Sequence, residues 1–184
     1  MEQLNPRSRS DPFGSRINRR HSTMLAYGVP WVSIMLGSLC VWLPVIAPAP
    51  VLPPVGFAVL LGWRFVRPGL LPLWAGLPLG LFDDLFSGQP LGSAILLWSV
   101  ALLAIEGIEA RFPWRSFWLD WLTASGILAV YLACAALVSG AAPTLVQLVV
   151  ILPQLLLSTV LFPIIARMVA LLDRLRLMRV RRVG

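Results

Sequence analysis

Two adjacent acidic residues, Asp83 and Asp84, are the strongest candidates for chemistry in this sequence, because they end a run of apolar residues. A carboxylate inside a membrane span is unfavourable by up to ~3 kcal/mol, so it normally faces a partner or a water-filled cavity. Such a pair could act as an acid-base dyad or bind a divalent cation. Neighbouring helical residues point about 100° apart, however, and no second Asp-rich motif is present. We therefore predict a structural role, in which the acid accepts hydrogen bonds from neighbouring helix ends or turns.

The remaining reactive residue types do not form a catalytic or metal-binding pattern. His21 is the only histidine and lies in a polar N-terminal stretch, and Cys40 and Cys134 both lie within apolar runs. Glu106 and Glu109 precede Arg111, which predicts an ion pair within this stretch or across the following loop. The sequence thus predicts a protein that is not an enzyme and has no cofactor or metal.

Glycines at a fixed spacing surround the acidic pair. Gly76, Gly80 and Asp84 recur every four residues, so they share one face of a helix, and Asp83 points away from it. Small residues at this spacing let two membrane helices approach closely. Gly88 and Gly92 continue the interval into a segment where glycine more often serves a tight turn. We predict a helix-packing or partner-binding face.

The elements that position this face lie in a bilayer. Of the 184 residues, 58% are hydrophobic and 12% are charged, far more apolar than a soluble domain. About 20 apolar residues cross a hydrocarbon core of ~30 Å. We predict an all-α polytopic membrane protein whose residues 25–172 form about six transmembrane helices, with apolar runs at 25–46, 51–65, 70–86, 91–106, 119–139 and 144–172.

The second apolar run, 51–65, is the shortest. As a helix it spans only ~22 Å. It must therefore extend into the preceding residues 48–50, thin the bilayer locally or form a re-entrant segment.

The arginines predict the topology. All 15 basic residues are arginine, and they occur in the N-terminal stretch, after the second run, after the fourth run and near the C-terminus. Positively charged loops are retained in the cytoplasm. We predict a bacterial inner-membrane protein with both termini in the cytoplasm, where residues 1–24 form a disordered basic tail and residues 173–184 a basic segment. The topology-determining residues are Arg16, Arg19, Arg20, Arg64, Arg67, Arg111, Arg115, Arg179, Arg181 and Arg182.

The net charge of +7 does not predict nucleic-acid binding, because that function needs a folded soluble domain with a basic face. The arginine-rich ends favour contact with membrane lipid instead.

The glycine-aspartate segment resembles the rod shape-determining protein MreD family. That family has a G-x3-G-x3-D-x2-S-G-x3-G pattern that bridges two spans. Arg67-Pro68 upstream, the overall length and the final span with a basic tail are also similar. Asp83 and the long arginine-rich N-terminal stretch are departures from the family. The matching positions are Gly76, Gly80, Asp84, Ser87, Gly88 and Gly92.

The resemblance implies a non-enzymatic subunit of the bacterial cell-elongation complex. Its most direct implied partner is MreC, and MreB, RodA and a penicillin-binding transpeptidase are implied members of the same complex. The resemblance also implies a fold similar to the membrane substrate-binding subunits of energy-coupling-factor transporters. An alternative function is therefore the small-molecule-binding membrane subunit of a vitamin transporter, which would need a polar pocket.

Overall fold

The computed structural model describes residues 23–42, 52–111, 116–140 and 144–176, and these residues are helical with short connections and no strand. The α-helices are α1 (Thr23–Ser38), α2 (Val55–Val66), α3 (Gly76–Ser87), α4 (Ser93–Arg111), α5 (Phe117–Val138) and α6 (Leu145–Arg176). Short 3₁₀ segments follow α1 at Leu39–Trp42 and precede α3 at Leu73–Ala75. The predicted all-α class is confirmed for these residues.

Three of the helices are long and apolar enough to cross a membrane, namely Ser93–Arg111, Phe117–Val138 and Val149–Arg176. Two shorter apolar helices are Tyr27–Trp42 and Val55–Val66. The length and composition of the three long helices suggest a membrane protein. Many large apolar side chains of α4, α5 and α6 also face outward, as expected where lipid replaces water.

The helix α2 lies inside the bundle formed by the other helices. Contacts run from α1 to α3, then to α4, α5 and α6 and back to α1, while α2 packs against α1, α5 and α6. Every residue of α2 from Gly56 to Arg64 is buried. At 12 residues α2 is about 18 Å long, less than the hydrocarbon thickness. Neighbouring helices cover it, so the short second run does not face lipid along most of its length.

The third apolar run, 70–86, is α-helical only from Gly76 onward. Residues 67–72 form turns, because Pro68 lacks a backbone donor, Gly69 has a left-handed φ of 79° and Pro72 is extended. The 3₁₀ segment Leu73–Ala75 then leads directly into α3. As a result α3 is as short as α2.

The last helix is longer than its apolar run. It continues to Arg176, four residues into the predicted basic segment 173–184. At 32 residues it is about 48 Å long, and its last residue, Arg176, is still buried against Trp63 of α2.

Candidate functional site

The carboxylate of Asp84 binds the start of the next helix. Its Oδ1 accepts hydrogen bonds from the backbone N–H of Ala94 at 2.8 Å and from the hydroxyl of Ser93 at 3.1 Å. Its Oδ2 accepts from the backbone N–H of Gly92 at 2.8 Å and of Ile95 at 3.4 Å. The first N–H groups of a helix have no partner within the helix, and the helix dipole favours a negative charge beside them. Asp84 therefore caps α4 from the preceding helix.

Both oxygens of Asp84 are occupied by these donors, and the side chain is 4% exposed. A carboxylate held in this way has no free lone pair directed at a substrate. The arrangement is one that stabilises a helix hairpin, since a single side chain fixes the register of α3 against α4. Ser93 contributes to it although the motif does not include this residue.

Gly76 and Gly80 lie directly against the backbone of α4. A Cβ atom on Gly80 would be 2.7 Å from both Cα and N of Ile95, and one on Gly76 would be 2.9 Å from Cα and N of Ser99. No Cβ fits at those distances without movement of the backbone. Because Gly76, Gly80 and Asp84 share one side of α3, we call this contact the α3–α4 seam.

The turn between the two helices uses the remaining motif residues. Gly88 ends α3 with a φ of 69° and Gly92 precedes α4 with a φ of 96°, in the left-handed region that favours glycine. The Ser87 hydroxyl is buried and has no hydrogen-bond partner among the described residues. The motif serine thus has no visible role in the seam, and Ser93 occupies the position beside Asp84.

Asp83 lies on another side of α3 but is also inside the bundle. It is 7% exposed and lies beside the hydroxyl of Ser38 at the end of α1. Asp83 is therefore buried although it does not lie on the side of α3 that carries Gly76 and Gly80. Among the described residues, no group of three or more His, Cys, Asp or Glu side chains could hold a metal ion.

A second close contact joins α1 to α2. A Cβ on Gly37 would be 3.0 Å from Cα of Gly56, and one on Gly56 would be 2.9 Å from the backbone N of Ser38. The sequence does not predict this contact, because its glycines are 19 positions apart and form no repeat. The signal available was only that each glycine lies inside an apolar run.

The arginine after the second run is buried. Arg64 is 4% exposed, and its guanidinium forms ion pairs with Glu106 at 2.7 Å and with Glu109 at 2.9 Å. The two glutamates were expected to form an ion pair with Arg111 or across the following loop. Both contact Arg64 at the end of α2, a partner that was not predicted.

A second set of ion pairs links α2 to α6. Asp173 accepts from Nε of Arg67 at 2.8 Å and from Nε of Arg176 at 2.7 Å. The Arg176 guanidinium also lies 5.6 Å from the ring centre of Trp63, in the range of a cation–π interaction. The C-terminal ends of α2, α4 and α6 therefore lie together, and we call this end of the bundle the arginine end.

Of the predicted topology residues, Arg64 and Arg67 lie at the arginine end, and Arg111 is exposed at the last position of α4. The others, together with most of the predicted basic tail, are outside the described residues: Arg16, Arg19, Arg20, Arg115, Arg179, Arg181 and Arg182.

The described residues form a helical fold with three helices that could cross a membrane, a tightly packed hairpin and a charged end. Comparisons with protein-family models, curated proteins and solved structures found no match to this chain.

Proposed function

We propose that this protein is a non-enzymatic subunit of the bacterial cell-elongation complex, which binds MreC in the membrane and helps organise lateral peptidoglycan synthesis. The observation that carries the proposal is the α3–α4 seam. The motif resembling the MreD family forms one structural unit, in which Gly76 and Gly80 contact α4 and Asp84 caps it. A capped hairpin presents a rigid surface to a partner, which is the property a scaffold needs.

We also propose that the chain crosses the bacterial inner membrane six times with both termini in the cytoplasm. The ion pairs of Arg64 and Arg67 with α4 and α6 support this. These ion pairs bring together the C-terminal ends of α2, α4 and α6, and each of these ends leads into an arginine-bearing part of the sequence. Segments with positive charge are retained in the cytoplasm. On this topology the short α2 is a span enclosed by protein, and the turn at Gly88 faces the periplasm.

The proposed fold relationship is to the substrate-binding subunits of energy-coupling-factor transporters, as the family resemblance implies. The structure offers no specific support for the alternative of a vitamin-binding subunit. The interior acid Asp84 is fully used in capping α4, and we propose the scaffold function alone.

The proposal is tested by complementation. The full chain, with an epitope tag, is expressed in a rod-shaped bacterium whose own gene of this family is deleted. We expect rod shape to return and an MreC-type protein to co-purify in mild detergent. The variant Gly80→Leu, which places a side chain into the backbone of α4, should lose both effects.

The matched control is Gly126→Leu, because Gly126 is also a helical glycine but has open space around it. It should behave as the unmodified chain. Round cells that contain the unmodified protein in the membrane at a normal level, with no MreC-type partner bound, would contradict the proposal.

A further inference from the structure

An apolar groove runs along the outside of the bundle between α1, α2 and α6. Its volume is about 610 Å³. Its lining includes Gly28, Val32 and Leu36 of α1, Val59 of α2, and Met168 and Leu172 of α6. Two polar side chains line it, and both are already bonded: the hydroxyl of Ser33 donates to the Pro30 carbonyl and accepts from Nε1 of Trp63, while the Cys40 thiol donates to the Leu36 carbonyl. The groove therefore favours an apolar occupant.

The dimensions of the groove suit a single hydrocarbon chain. It follows α1 from Gly28 to Cys40, a length of about 18 Å at the helical rise. A single hydrocarbon chain is thinner than an α-helix, which is ~10 Å in diameter, so the chain can lie along the groove between the packed helices. The length of the groove is close to half of a hydrocarbon core of ~30 Å, the depth reached by one acyl chain.

Charge at one end of the groove identifies the headgroup. Leu172, which lines the groove, immediately precedes Asp173, and Asp173 pairs with Arg67. The side chain of Arg67 is 49% exposed. Only its Nε is used in that pair, and a guanidinium has further N–H donors on its two terminal nitrogens. Arg174 is also exposed, but it follows Leu172 by two residues and so points to the other side of α6, away from the groove. An acyl chain in the groove thus has its phosphate within the reach of arginine donors, which bind phosphate well.

From these observations we infer that the groove between α1, α2 and α6 binds one anionic phospholipid, with an acyl chain along Gly28 and Val59 and its phosphate on Arg67. This site is separate from the α3–α4 seam and does not depend on the proposed partner. Basic sites between membrane helices are known to bind anionic headgroups in this way.

The test uses the full chain purified in detergent and two lipids with the same oleoyl chains, phosphatidylglycerol and phosphatidylcholine. Native mass spectrometry measures how much of each lipid stays bound. We expect one phosphatidylglycerol to bind about fivefold more tightly than phosphatidylcholine, the effect of one arginine near an anionic lipid. In Arg67→Gln that preference should disappear, while the control Arg174→Gln should keep most of it. Equal binding of the two lipids to the unmodified chain would overturn the headgroup site.

Filling the groove tests the acyl-chain site. Gly28 has open space for a Cβ, so Gly28→Leu should fold and should reduce bound phosphatidylglycerol by about tenfold or more, because the leucine takes the place of buried methylenes. The matched control is Gly126→Leu on α5, which should bind as the unmodified chain does. Equal losses in the two variants would mean that only general surface lipid is bound, and unchanged binding in Gly28→Leu would likewise overturn the inference.

A photoactivatable diazirine on the acyl chain of phosphatidylglycerol locates the bound lipid independently. We expect labelled peptides from α1 and α6. Labelling confined to α3 and α4 would overturn the inference. Loss of the α1 and α6 label whenever a partner protein co-purifies would also overturn it, because a protein would then be the occupant.

Discussion

The Oδ1 atom of Asp84 lies 2.8 Å from the backbone nitrogen of Ala94, ten positions later in the chain. This hydrogen bond crosses the turn at Gly88 and fixes the start of α4 against the end of α3. Each of the two carboxylate oxygens accepts a hydrogen bond from a backbone N–H, with 2.8 Å between the nitrogen and the oxygen. Both oxygens of the acid are therefore needed, which makes the position sensitive to small chemical changes.

Replacement of Asp84 should destabilise the hairpin in a graded order. Asp84→Asn keeps one acceptor oxygen but directs an NH₂ group at one set of N–H donors. Asp84→Leu leaves both sets of donors unpaired, and each buried unpaired donor lowers the free energy of unfolding by ~1–3 kcal/mol. We expect the unfolding temperature in detergent to fall in the order Asp, Asn, Leu. Ser87→Ala is the control within the motif, because the hydroxyl has no partner among the described residues, and it should unfold as the unmodified chain does. Asn and Leu variants of equal stability would contradict the capping role.

Gly80→Ala should force α3 and α4 apart. The added Cβ would meet the backbone of Ile95 at 2.7 Å, and overpacking of this kind typically costs ~1–3 kcal/mol. In Gly126→Ala the same change enters open space and should be neutral or stabilising by up to ~1 kcal/mol through helix propensity. Thermal unfolding of both variants in one detergent measures the difference. A Gly80→Ala protein as stable as Gly126→Ala would show that the seam can relax freely.

Arg64→Leu should be much more harmful than Arg111→Leu. Arg64 is buried, whereas its partners Glu106 and Glu109 are partly exposed, so loss of the arginine leaves two incompletely solvated carboxylates and should cost ~1–3 kcal/mol. Arg111 is exposed. We expect membrane-inserted protein levels to fall for Arg64→Leu only. The combination of Arg64→Leu with Glu106→Gln and Glu109→Gln should restore part of the loss, since it removes the unpaired negative charges. An absence of any recovery would indicate that the arginine acts through packing alone.

Cysteine labelling should distinguish the two ends of the bundle. In a background with Cys40 and Cys134 replaced by alanine, we expect Leu91→Cys to react with a membrane-impermeant maleimide added to intact spheroplasts. Arg174→Cys should react only after the membrane is opened. Both positions are exposed in the structure. Reaction of the two cysteines from the same side would exclude the proposed six-span topology, and reaction of Arg174→Cys alone would invert it.

The apolar runs and the glycine spacing could be predicted from sequence because they are local patterns. Runs of about 20 apolar residues predict helices without knowledge of their neighbours, and Gly76, Gly80 and Asp84 share a helix face through periodicity alone. The connection at residues 66–69 lies between the second and third predicted runs, but the non-helical start of the third run was less predictable, because Pro72 lies among apolar residues.

The enclosure of α2 and the partners of Arg64 could not be predicted, because both depend on how distant segments pack. Arg64 and Glu106 are 42 positions apart, and Arg111 offered the glutamates a nearer partner in sequence. Similarly, Asp83 was expected to point away from the packed face. Periodicity gives its direction relative to Asp84, but only the packing of α1 beside α3 determines that this direction is also buried.

The burial of α2 bears on the biogenesis of the protein. The ribosome makes α2 before α4 and α6, so Arg64 reaches the translocon before Glu106 and Glu109 are synthesised. At that stage the helices that cover α2 in the folded protein are not all present. Integration of this segment is then a late event that is completed only when the last helix arrives. We expect a chain that stops before Glu106 to carry Arg64 without its partners, which is the kind of defect that membrane quality-control proteases remove.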